Sequence, residues 1–262
     1  MDFRTESYRW GLEHLHETNP AWRELQTVLR SIDRQEVVTT QAEYFHTWMG
    51  GERATPPAGG QTTINRLIEK RLSELGWETQ VPVIPAEDGR GPVPYWSMDF
   101  VKDRIGVEVS FNNAGVLPQN LLRMSVKAES HLLDPAEMIR LGILIVATGE
   151  LKAWSRMDST VHTFEQVRRV LRYVTFSVPT PMVVVGLNNS TDGEVWQPTE
   201  LFQGRKLRRF DQVGEERAQR WREAVDREAG PASLQYDRAS SAEVRAASDG
   251  PERDDPPGKL PL

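Results

Sequence analysis

Asp99 and Glu108 lie in two apolar-alternating runs of one segment, Trp96 to Asn113, which reads Trp-Ser-Met-Asp-Phe-Val-Lys-Asp-Arg-Ile-Gly-Val-Glu-Val-Ser-Phe-Asn-Asn. Each run alternates with period two, as half-buried strands do, and a charged corner at Lys102, Asp103 and Arg104 divides them. Trp96, Met98 and Phe100 are expected on one face of the first strand and Ser97 and Asp99 on the other. Ile105, Val107, Val109 and Phe111 take the apolar face of the second, leaving Gly106, Glu108 and Ser110 on the polar one. A two-residue turn at Lys102 and Asp103 sets Asp99 opposite Gly106 and diagonal to Glu108; a four-residue connection sets it directly opposite Glu108. In either register the carboxylates share a face at roughly 5 to 8 Å and repel unless a cation sits between them. A hard divalent ion such as Mg²⁺ suits such a pair. The competing reading is a hairpin with a solvated polar face, and the spacing alone does not decide between them.

The surrounding elements must place those carboxylates. The first segment is helical in character, with Trp10, Leu12 and Leu15 on one face, and Pro20 opens a helix through Trp22, Leu25, Val28, Leu29 and Ile32. Residues 50–60, Gly-Gly-Glu-Arg-Ala-Thr-Pro-Pro-Ala-Gly-Gly, form a loop, either a plain connector or an arm that clasps a ligand. Thr62 or Thr63 caps a helix bearing Ile64, Leu67, Ile68, Leu72 and Leu75, which stops at Gly76. Glu69 lies at the edge of its apolar stripe and is a candidate to project towards the sheet. Trp77 to Ile84 is a strand and Pro85 to Pro92 a loop. Beyond the hairpin, a helix runs from Pro118 through Leu132 with Arg123, Lys127 and Glu129 on its other faces. Met138 to Thr148 and Pro181 to Leu187 are nearly continuous apolar runs, as buried central strands are, and Thr163 to Tyr173 is an amphipathic helix between them. The order predicts an α/β fold: a mixed central β-sheet flanked by α-helices, with a helical N-terminal part.

At 262 residues the chain is long enough for a sizeable core, and 38% of it is hydrophobic, with eight tryptophans. Residues 1–235 are expected to form one domain with a core at about 60–187. The Ser-, Ala-, Pro- and charge-rich stretch 236–262 is expected to be a disordered tail. The absence of cysteine excludes disulfides, a thiol nucleophile and zinc-thiolate sites. No signal segment or stretch long enough to span a bilayer is seen, so a cytoplasmic protein without membrane contact is expected. A net charge of −6 argues against indiscriminate coating of nucleic acid but leaves room for a local basic cleft. The strongest basic cluster, Arg205, Lys206, Arg208 and Arg209, suits phosphate contacts in that case. A final charged helix is expected over Val213 to Ala229.

In this element order the segment Asp99-Phe-Val-Lys-Asp-Arg-Ile-Gly-Val-Glu108-Val-Ser110-Phe-Asn-Asn resembles the core of the PD-(D/E)xK nuclease superfamily. More narrowly it is similar to the BglII- and BstYI-like type II restriction endonucleases, with eight residues between Asp99 and Glu108. The likeness extends through Arg123 to Ser130, Leu141 to Gly149, the helix start Thr163-Phe164-Glu165-Gln166 and Val183 to Leu187, about half the chain. It implies a restriction-endonuclease-like fold and Mg²⁺-dependent, sequence-specific cleavage of double-stranded DNA leaving 5′-phosphates. It also implies a homodimer on a palindromic site and a cognate DNA methyltransferase. Asp99, Glu108 and the Val109 carbonyl would hold the metal, with Ser110 and Glu69 as further catalytic candidates and Gln80 as a supporting amide. Ser110 stands where the superfamily has Lys and the closer relatives are similar in having Gln; a serine hydroxyl supplies a hydrogen bond to the attacking water and no charge.

Asn and Gln pair with adenine and Arg with guanine in a DNA groove. Asn112 and Asn113, directly after the second strand, and Arg156, Asp158, Ser159 and Thr160, after the central strand, are the candidates for base reading. Each competes with the reading of a turn residue satisfying its own backbone. Two other functions stay open: a structure-specific DNA repair nuclease on the same core, and a catalytically inactive DNA-binding protein of the same fold.

Overall fold

The computed structural model describes residues 1–15, 19–49, 59–86, 91–174, 178–202 and 215–229. The two continuous apolar runs form the sheet's centre because both of their faces are covered. β1 (Phe3–Tyr8), β2 (Glu78–Pro82), β3 (Ser97–Lys102), β4 (Ile105–Val109), β5 (Leu141–Ala147) and β6 (Met182–Leu187) make a six-stranded sheet in the order β1-β6-β5-β4-β3-β2. β4, β5 and β6 run parallel, and β1, β3 and β2 are antiparallel to their neighbours. Every residue of β4, β5 and β6 is buried, as parallel strands under helices on both sides must be.

One layer packs α2 (Pro20–Ser31), α3 (Arg34–Met49), α4 (Gln61–Glu74) and α6 (Gly149–Trp154) through Leu25, Val37, Ile64, Ile68 and Leu151. The other packs α5 (Leu117–Glu129) and α7 (Phe164–Leu171) through Leu121, Met124, Phe164 and Val167. A short α1 (Gly11–His14), a hairpin of β7 (Ser190–Thr191) and β8 (Glu194–Val195), and α8 (Glu215–Ala229) complete the chain. The fold is the expected mixed sheet flanked by helices, and the N-terminal part is helical as expected. No helix among the described residues is long and apolar enough to cross a membrane.

Three local features depart from the pattern. β1 precedes the N-terminal helices and closes the far edge of the sheet against β6. α3 is masked in the sequence by a β-branched run, Val37 to Thr40, and by burial on two sides through Val37, Val38, Gln41 and Phe45. In β3 the alternation breaks: Met98 packs with Leu117, Leu121 and Met124, whereas Phe100 packs in the opposite layer with Val107 and Val109. The Arg205 to Arg209 cluster, residues 50–58 of the loop and the 236–262 tail lie outside the described residues.

Candidate active site

β3 and β4 pair as Phe100↔Val107, Val101↔Gly106 and Lys102↔Ile105, and this register, continued, faces Asp99 with Glu108. The connection is a two-residue turn at Asp103 and Arg104, both at positive φ (49° and 63°), as a tight type I′ hairpin requires. The turn falls one residue later than Lys102 and Asp103, which moves Asp99 from Gly106 to Glu108. Past Phe100 the backbone ladder gives way to a side chain: the Val109 N–H donates to Asp99 Oδ2 at 2.8 Å. On the other flank Gln80 faces Asp99 and adopts φ 50°, a costly conformation for a non-glycine residue inside a strand. Its Nε2 donates to Asp99 Oδ1 at 3.3 Å, and its Oε1 accepts from Ser97 Oγ at 2.9 Å. The bond at 3.3 Å is long, so the backbone bond does more to fix the Asp99 carboxylate.

Glu108 is 1% exposed. Burial first, then the nearby charge of Asp99, raise its carboxyl to about 8 against the pull of Arg123. Burial likewise raises Asp99, opposed by the Val109 N–H, Gln80 and Arg123. Two carboxylates in a desolvated corner, one raised by the charge of the other, have the chemistry to take a cation, and their hard oxygens fit a divalent ion such as Mg²⁺. The backbone carbonyl of Val109 is the third oxygen donor of the expected set. Among the described residues no group of three or more acidic, histidine or cysteine side chains gathers here. Glu69 stands exposed on α4 and makes no hydrogen bond or ion pair with either carboxylate among the described residues.

α5 completes the site. Gly142 lets it approach the sheet, since a Cβ there would lie 2.7 Å from the Met124 sulfur, and Lys127, also buried, donates to the Pro82 carbonyl at 3.0 Å. That docking brings Asn120 and Arg123, three apart and so neighbours on the helix surface, onto β4. Arg123 Nε and Nη2 fork onto the two oxygens of Glu108 at 3.0 and 2.7 Å. Nη2 also donates to Asn120 Oδ1 at 2.8 Å and Nη1 to the Tyr95 carbonyl at 3.1 Å. Asn120 Nδ2 donates to Ser110 Oγ at 2.7 Å. Ser110 is fully buried, so its hydroxyl is tied to the helix. Arg123 and Lys127, expected off the apolar face of this helix, point toward the sheet; the signal was the polar residues at 120, 123 and 127, which repeat at the spacing of Leu117, Leu121 and Met124.

Beyond the C-terminal end of β4 lies a cleft of about 230 Å³. Asn112 and Asn113 form one wall, Arg156, Asp158 and Thr160 another, with Gly59 and Gln61 between. The two candidate base-reading segments are thus brought together, joined by an Asn113↔Val161 bridge and by the Ala114 N–H on the Thr160 carbonyl at 2.8 Å. Their side chains differ in freedom. Asn113 Oδ1 accepts from the Gly115 N–H at 2.8 Å, capping a 3-10 turn (Ala114–Val116), and Asp158 Oδ1 accepts from the Thr160 N–H and hydroxyl. Asn112, Arg156, Ser159 and Thr160 are exposed.

The profile of the restriction endonuclease BglII/BglIII family matches residues 3–187. Among solved structures the chain is similar to restriction endonuclease BglII complexed with a DNA 16-mer, at 18% identity and a TM-score of 0.53, over 73% of this chain and 80% of that one. It is also similar to free BglII, at 17% identity and a TM-score of 0.43, over 76% and 82%. The likeness to the first is one of fold. No curated protein matches the chain.

Proposed function

The chain belongs to the BglII/BglIII restriction endonuclease family and is a type II site-specific deoxyribonuclease; from that premise we propose that it cuts double-stranded DNA at a palindromic site in a Mg²⁺-dependent reaction that leaves 5′-phosphates. The observation that carries the reading is the pair Asp99 and Glu108, facing each other beside a polar cleft at the end of the same strand. Residues 1–235 would form one nuclease domain, since β1 belongs to the same sheet as the 60–187 core.

Asp99, Glu108 and the Val109 carbonyl would hold Mg²⁺, which when bound neutralises phosphate charge and makes water more acidic. The protein's own part is positional. The Val109 N–H and Gln80 fix Asp99 by donating to one oxygen each. Ser110 acts through Asn120, holding α5 on the strand, a change from the expectation that its hydroxyl orients the water directly. In the reaction a water oxygen bonds to phosphorus, the P–O3′ bond breaks, and O3′ leaves as a hydroxyl after taking a proton. Glu69 keeps no part in this scheme, standing exposed on α4.

Asn112, Asn113, Arg156, Asp158, Ser159 and Thr160 would read base edges, and Arg205, Lys206, Arg208 and Arg209 would contact phosphates. A palindrome calls for a two-fold homodimer, one site per strand, and a host would need a cognate methyltransferase to protect its own DNA. The test is digestion of plasmid DNA with and without Mg²⁺, followed by sequencing of the fragment ends. Discrete fragments with 5′-phosphates are expected; smearing, cutting of branched DNA alone or binding without cutting would each refute the proposal.

A further inference from the structure

Phosphodiester hydrolysis builds negative charge on the phosphoryl oxygens, and preorganised donors aimed at those oxygens contribute most to the rate. β3 and β4 bring two carboxylates to this site and no free cation. Lys102 is held by Glu24 and the Leu75 carbonyl, and Arg104 by the Met138 carbonyl. Ser110 is neutral, buried and engaged with Asn120. Among the described residues the one side chain in ion-pair contact with these carboxylates is Arg123, which comes from α5.

We propose that Arg123 supplies, from α5, the positive charge at the reacting phosphate that β4 does not supply through Ser110. The inference rests on the reading of Asp99 and Glu108 as the hydrolytic site. Of the five N–H groups of a guanidinium, four of those on Arg123 have partners among the described residues: two on Glu108, one on Asn120, one on the Tyr95 carbonyl. Among the described residues the second hydrogen of Nη1 has no partner, and the Nη1 contact lies on the exposed side of the pair while Glu108 is sealed below. Arg123 is therefore locked at Nε and Nη2, and at Nη1 one hydrogen is held by the Tyr95 carbonyl and the other is available. A planar fork held this way is preorganised for a phosphate oxygen, since little rotamer freedom remains to be lost on contact. Ionised, the two carboxylates carry two negative charges; Arg123 offsets one, so the site repels an incoming phosphate less.

A role confined to neutralising buried Glu108 would leave Arg123 without contact to DNA, and the experiment separates the two. Wild type, Arg123→Gln, Arg123→Lys and Asp99→Asn are compared on a duplex carrying the site found by sequencing plasmid fragment ends. The first readout is metal-free binding by fluorescence anisotropy against salt. Loss of a phosphate contact lowers the slope of log affinity against log salt by about one per site. The second is single-turnover cleavage of duplexes with an Rp or Sp phosphorothioate at the scissile bond. Arg123→Gln is expected to cut about a hundredfold more slowly than wild type and to lose most of the sulfur effect for one isomer only, with Arg123→Lys intermediate. An unchanged salt slope with equal sulfur effects in wild type and Arg123→Gln overturns the proposal, and Arg123→Lys makes the same comparison if the Gln variant fails a melting check. If Asp99→Asn is inactive while Arg123→Gln cuts normally, this inference alone falls; if wild type does not cut, or Asp99→Asn cuts as well, the hydrolytic reading falls with it.

Discussion

Asp99 reaches beyond the last backbone rung of its own strand pair to accept the Val109 N–H at 2.8 Å, which ties one carboxylate to the residue that follows the other. Asp99→Asn keeps an acceptor for that N–H and removes the negative charge. Loss of an anionic donor to a divalent cation removes several kcal/mol of transition-state stabilisation, so cleavage is expected to fall by at least about a thousandfold. Above about pH 8, where Glu108 is ionised too, the urea midpoint should move little, because the repulsion between the two carboxylates disappears as well. A variant that cuts plasmid at the wild-type rate would remove Asp99 from the site.

Glu108 carries the pH dependence. With its carboxyl raised to about 8 by burial and by Asp99, the metal-free protein holds it protonated at neutral pH, and a divalent cation must displace that proton. Cleavage at low Mg²⁺ is therefore expected to rise as pH increases through about 8, and a tenfold increase in Mg²⁺ should lower the midpoint by about one pH unit. Single-turnover rates over pH at two Mg²⁺ concentrations check this; a midpoint indifferent to Mg²⁺ would show that another group sets the profile. Chelation by EDTA should abolish cutting.

The acids were legible because strand alternation and a charged corner placed them on one face before any packing was known, and the buried strands because apolar runs of that length have few alternatives. The register was not, because it depends on which two corner residues accept positive φ, and neither Asp103 nor Arg104 is a glycine. The break at Met98 and Phe100 lies beside the positive φ of Gln80 and the Asp99–Val109 bond, features of strand pairing that one strand's pattern cannot show. Asn120 and Arg123 escaped because polar residues on an amphipathic helix ordinarily mark the solvent side, and only α5 docked over Gly142 turns them inward.

Asn112 and Asn113 are adjacent and of one type, yet different behaviour is expected of them. Asn113 caps the following turn through Gly115, so Asn113→Ala should cost about 1 kcal/mol of stability by analogy with helix caps. Asn112 is exposed in the cleft wall, so Asn112→Ala should leave stability unchanged and weaken binding to the cognate site by about 1 to 3 kcal/mol if it makes a bidentate base contact. Urea melts paired with anisotropy titrations on cognate and scrambled duplexes separate the two effects. The reverse pattern would exchange their roles.

His162 sets an acid limit on stability that is independent of the catalytic chemistry. It is 2% exposed, neither ring nitrogen has a hydrogen-bond partner among the described residues, and burial, assisted by Lys152, lowers its value from 6.5 to about 4. The folded state thus holds the imidazole neutral where the unfolded chain binds a proton. The stability this group contributes is complete above about pH 6.5 and is lost as pH falls towards about 4, a change of about 3 kcal/mol. His162→Leu removes both the titration and two unpaired polar atoms at similar volume, so it should match or exceed wild type at neutral pH and lose less stability than wild type on acidification. Urea midpoints at about pH 7.5 and about pH 4.5 provide the check, and parallel losses in both proteins would show that His162 is solvated or paired in solution.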